Sequence, residues 1–128
     1  MARYGEVATL AARTSRRGVN PVQAWNDAAA RVYGDQPASR DKNCPKSAFL
    51  GLAEEGLISG VPAGNYTRSR DNKRYAVEGV RLLQSEPALS ADPGEMWRRV
   101  MAGEQKQHNE QMEVVAALWV AGDIAGAA

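Results

Sequence analysis

The stretch LISGVPAGNYTRSR, residues 57–70, decides the fold. Two local structures compete for it. Leu57, Ile58 and Val61 are apolar and suit a short strand, Pro62, Ala63, Gly64 and Asn65 read as a turn, and residues 66–70 alternate weakly, so a two-stranded hairpin can form. The alternative is an irregular lead into a helix that begins near Asp71. A hairpin after a helix is the order found in winged-helix DNA-binding domains, where that helix enters the major groove. Two features oppose the winged form. The connection before the third helix is the ten-residue polar run DQPASRDKNC, residues 35–44, where a helix-turn-helix uses about three or four residues. The third helix also exposes Glu54 and Glu55 beside Lys46 and Ser47, and phosphates repel carboxylates.

Outward from this stretch the pattern is helical. Tyr4, Val7, Ala8, Ala11 and Ala12 recur at helical spacing, and Gly18 and Asn20 stop that helix. Asn20 caps a second helix with Pro21 in its first turn, Val22, Trp25, Ala28, Ala29 and Val32 as its stripe and Gly34 as its end. Pro45 opens a third helix, capped by Asn43 or Cys44, with Ala48, Phe49, Leu52 and Ala53 apolar and Gly56 closing it. Tyr75, Val77, Val80 and Leu83 mark a fourth. Asp92, Pro93 and Glu95 form a capping box for a fifth, which carries Met96, Trp97, Val100 and Met101. A last helix is expected from about Glu104 to Val120, with Met112, Val115, Leu118 and Trp119 on one side. The expectation is a mainly α fold: five to six short helices around one core over residues 1–122, then a frayed tail at 123–128, with the 57–70 hairpin and its winged-helix-like form as the alternative.

Composition removes several classes of function. The chain has 128 residues, one cysteine and one histidine. A lone cysteine excludes an internal disulfide framework and a cysteine-built zinc site, and a lone histidine excludes sites that need two imidazoles. The longest apolar run, residues 114–121, has eight residues, against about 20 for a membrane span. The N-terminus has spread arginines and no apolar signal core, so a cytoplasmic protein is expected. No nucleophile elbow, zincin, dinucleotide-binding or P-loop pattern is present, and no catalytic residue, cofactor or metal is expected.

Charge is uneven along the chain. The net charge is +1, yet residues 1–81 hold thirteen Lys and Arg against eight Asp and Glu. The densest polar segment, residues 64–75, holds Arg68, Arg70, Lys73 and Arg74 with Thr67 and Ser69, at or just before a helix start. Free backbone N–H groups and the helix dipole favour an anion at such a place. The four cations can neutralise phosphates, the two hydroxyls can donate to phosphate oxygens, and Tyr66 can stack on a base. The plain alternative is a solvated helix cap. Other candidates are thinner. Cys44 sits at a predicted helix start and would need His108 as a base. The polar run KQHNEQME, residues 106–113, suits a partner-facing surface. An exposed Trp119 beside Val120 and Ile124 would mark a self-association contact.

The patterns CPKSAFLGL, residues 44–52, and GNYTRSRDNKRYA, residues 64–76, with the later Ala117, Leu118 and Trp119, resemble a group of small uncharacterised bacterial proteins. That resemblance implies a bacterial, cytoplasmic, single-domain protein and supplies no catalytic residue. The leading functional expectation is a non-enzymatic module that binds an anionic partner, nucleic acid first among them, through Thr67, Arg68, Ser69, Arg70, Lys73 and Arg74, with Lys42 and Lys46 contributing. The alternative is a homodimeric interaction module built on the C-terminal helix. No membrane partner is expected.

Overall fold

A computed structural model describes residues 3–106 and 110–125. Its first helices are α1, Tyr4–Arg16, and α2, Pro21–Tyr33. The Asn20 side chain accepts the Val22 N–H at 2.9 Å and Pro21 fills the first helical position, so the start of α2 is set as its sequence implies. Tyr4 at the start of α1 meets Tyr33 at the end of α2, their ring centroids 5.1 Å apart, which makes the two helices antiparallel neighbours. The expected polar loop contains a single helical turn, α3, Pro37–Arg40.

The next helix, α4, Asn43–Glu54, starts two residues earlier than its proline suggests. Neither Asn43 nor Cys44 is the cap. Lys42 stands there without a side-chain cap, and Pro45 falls within the first turn, where its missing N–H forfeits no helical hydrogen bond. The end of α4 follows its glycine. Gly56 adopts φ 72°, its N–H reaches the Ala53 carbonyl, and the Leu57 N–H reaches the Leu52 carbonyl at 2.9 Å. This helix is buried on almost every side, Ser47 included, and its Phe49 packs on Trp25 of α2 with centroids 5.4 Å apart. A recognition helix must show a face to DNA, and α4 keeps none, so the winged-helix alternative fails here.

It fails again in the following stretch. No strand forms among the described residues, and no hairpin joins residues 57–61 to 66–70. Ile58 instead makes one isolated antiparallel bridge with Ile124. The Ser59 N–H donates to the Asp123 carbonyl and the Ala125 N–H to the Leu57 carbonyl, both at 2.8 Å. Asp123 pairs with Arg16 at 3.0 Å, and Ile124 is only 3% exposed. Residues 123–125, expected in a frayed tail, are therefore packed; residues 126–128 lie outside the described residues.

The remaining elements are α5, Arg70–Ser85, a 3-10 turn at Pro87–Ala91, α6, Pro93–Met101, and α7, Gln111–Val120. The Asp92 side chain accepts the Glu95 N–H at 3.1 Å, so the N-cap half of the expected capping box forms; the reciprocal half does not, because the Asp92 N–H donates to the Leu89 carbonyl and the Glu95 carboxylate is taken by Arg98 and Arg99. The last helix is shorter than expected. The chain leaves α6 through left-handed Ala102 and Gly103, and residues 104–106 are not helical. The Lys106 carbonyl there accepts the Trp97 indole N–H at 3.0 Å. His108 lies outside the described residues. Phe49, Leu52, Val80, Leu83, Met96, Met112 and Leu118 meet in one continuous core. No helix among the described residues is long and apolar enough to cross a membrane. Because Ile124 is buried rather than frayed, Ile124→Ala is expected to cost about 2–4 kcal/mol of unfolding free energy, read by urea denaturation; a change near zero would place the chain end outside the core.

Candidate functional site

The site is built on the close approach of α4 and α5. A Cβ on Gly51 would fall 2.7 Å from the Lys73 Cα, so only glycine lets the two helices meet at this depth. That approach carries the Lys73 side chain over the end of α4. Its ammonium lies 2.7 Å from Glu54 Oε2 and 2.8 Å from Glu55 Oε1. The other Glu54 oxygen accepts the Tyr66 N–H at 2.7 Å and the Thr67 N–H at 3.2 Å. The Glu54 side chain is 12% exposed. The Lys73 hydrogen bond, with the two backbone N–H groups adding to it, outweighs the cost of burial and holds the Glu54 carboxyl below its ordinary pKa. Glu54 first and Glu55 second raise Lys73.

The approach to α5 is tied in the same local way. Thr67 Oγ1 accepts the Ser69 N–H at 3.1 Å, and Ser69 Oγ accepts from the Asn72 side-chain amide at 2.9 Å and, more weakly, from its backbone N–H at 3.4 Å. Asn72 is buried and its oxygen accepts from Gln111 of α7 at 3.0 Å. The Tyr66 hydroxyl donates to the Pro62 carbonyl at 2.7 Å, and its ring lies against Gly64. Tyr75 is buried, edge-on to Trp97, with the Arg74 guanidinium 4.9 Å from its ring centre. Tyr75 therefore presents no free face to a base, and half-buried Tyr66 has its hydroxyl and one side of its ring engaged by residues 62–64.

An open groove of about 870 Å³ runs along α5, and all six residues singled out in the sequence line it. They fall into two groups. Thr67, Ser69 and Lys73 are occupied by the fold. Arg68, Arg70 and Arg74 are exposed and make no ion pair or hydrogen bond among the described residues. A fourth such cation, Arg81, completes the stripe and was missed. Its signal is legible in the spacing 70, 74, 77, 81, which is one face of a helix. Lys42 and Lys46 do not line the groove, and Lys42 stands over the Tyr4 ring instead. Glu54, Glu55 and Glu78 supply the negative charge of the walls.

The other candidates assemble less. Cys44 is half-buried near the start of α4, and its suggested partner His108 lies outside the described residues. On α7, Trp119 is half-buried, Ile124 beside it is buried, and Val120 is the exposed large hydrophobic of the described surface.

Glu54→Ala leaves two half-buried N–H groups without their acceptor and the Lys73 ammonium with Glu55 alone, and is expected to cost about 1–3 kcal/mol of stability. In the parent protein the Glu54 contribution is complete above the ordinary glutamate range and is lost as the pH falls through the lowered folded value. Urea midpoints recorded from neutral to acid pH check both points, because the parent and the variant should converge in acid.

Neither a curated protein nor a solved structure matches this chain. A family model covers residues 1–125, and by that match the chain belongs to DUF6979, a family of unknown function.

Proposed function

We propose that the α5 groove binds a nucleic acid through its phosphates. One observation carries this: Arg68, Arg70, Arg74 and Arg81, free of ion pairs among the described residues, converge on one open groove. At about 1.5 Å of rise per residue, Arg70 and Arg74 stand about 6 Å apart along the helix, and Arg81 about 10 Å further on. A row of guanidinium groups suits a row of phosphates, each able to take two parallel hydrogen bonds. Binding would release counterions from the polyanion. With both tyrosines engaged in the fold, stacking contributes little, and affinity rests on charge. Under this proposal the protein is a binding module without catalytic chemistry, at work in a bacterial cytoplasm. Self-association through α7 has less in its favour, because Val120 with part of Trp119 gives little of the roughly 800 Å² per partner that a stable interface buries.

Fluorescence anisotropy with labelled single- and double-stranded oligonucleotides tests the proposal. Affinity should fall steeply with salt, with a log–log slope of about −3 for four phosphates on a single strand. The variant Arg68→Ala, Arg70→Ala, Arg74→Ala, Arg81→Ala should remain folded and lose binding. Lys73 is left intact because it holds Glu54 and Glu55. Salt-insensitive binding, or none at low salt, would make the stripe a solvated helix face.

A further inference from the structure

Glu78 is unexpected in a surface that only holds phosphates. It is half-buried and follows Arg74 by four residues and precedes Arg81 by three, spacings at which ion pairs form on a helix. Among the described residues it pairs with neither. On a wheel of about 100° per residue, Arg70, Arg74 and Arg81 fall within about 40° of one another, and Glu78 stands about 40° beyond Arg74. That offset turns it toward α6. There it also lines an adjoining hollow of about 320 Å³, whose apolar surface comes from Leu82 and Val100. Two arginines border this hollow too: Arg81, which it shares with the groove, and Arg99, whose guanidinium is held by Glu86 and Glu95. The hollow thus combines an apolar wall with one carboxylate that has acceptors to spare.

Resting on the nucleic-acid reading of the groove, we propose that this hollow is a base subsite and that Glu78 selects a base with an exocyclic amino group, cytosine in the first instance, on a single strand. Phosphates along the arginines leave the bases to one side of the stripe, and a splayed base turned toward α6 meets the hollow. A carboxylate accepts from the cytosine amino group. Thymine presents a carbonyl oxygen at the same position, and two acceptors repel. Glu78 also weakens phosphate binding at its own position, so it exchanges affinity for discrimination.

The test compares oligodeoxycytidylate and oligodeoxythymidylate of equal length by anisotropy at low salt, on the parent protein and Glu78→Ala. The parent should bind the cytosine oligomer about ten-fold more tightly. Glu78→Ala should bring the ratio to about one, partly by strengthening thymine binding, whereas Arg74→Ala should weaken both oligomers and keep the ratio. Equal binding of the two oligomers by the parent, with the salt dependence intact, would remove the base subsite and leave the phosphate groove standing. A preference that survives Glu78→Ala would also overturn the role of Glu78. Absence of binding to either oligomer at low salt would overturn the groove and the subsite together.

Discussion

One carboxylate holds the α4–α5 face of this protein together. Glu54, the last residue of α4, accepts two backbone N–H groups from residues 66 and 67 and an ammonium from α5. Its own carbonyl accepts the Gly64 N–H at 3.2 Å. Helix, irregular segment and helix are thereby joined by one residue, and the segment needs no sheet partner to satisfy these groups. The contact depends in turn on Gly51, since a side chain there would push α5 outward and take Lys73 out of reach. Gly51→Ala acts on the same joint at a cost of about 1–3 kcal/mol.

The same contact divides the cations of the groove by role. Lys73 is consumed by two glutamates, and its charge is cancelled locally. Arg68, Arg70, Arg74 and Arg81 stay open to solvent around it. The arginines of α6 behave like Lys73. Arg98 first and Arg99 second hold the half-buried Glu95 carboxyl down to about 2, so their charge is turned back onto the protein. A chain with a net charge of +1 thus presents a basic stripe because its acids are spent on some cations and not on others.

Local signals in the sequence describe most of the helical architecture. Asn20 and Asp92 cap the helices they precede, and Gly34 and Gly56 end those they follow. These features are legible because each acts within a few residues. Ile58 is different: its partner is Ile124, at the other end of the chain, and nothing near residue 58 announces that pairing. The start of α7 was misplaced because residues 104–106 have helical composition but serve as a connection, with the Lys106 carbonyl taken by Trp97. At the site, clustering identified the six residues that share the groove. It did not separate Lys73, Ser69 and Thr67 from the arginines that form no ion pair among the described residues, because their partners include a carboxylate more than ten positions away. Arg81 needed only the helical spacing continued past the dense segment.

The measurement closest to the central claim is backbone amide hydrogen exchange by NMR at Tyr66 and Thr67, in the parent protein and in Glu54→Ala. The Glu54 clamp predicts that both amides are protected in the parent, well above the rates of an open loop, and that both lose protection in the variant while the amides of α1 and α2 keep theirs. Exchange at loop rates in the parent protein, or protection that survives removal of the carboxylate, would contradict the account.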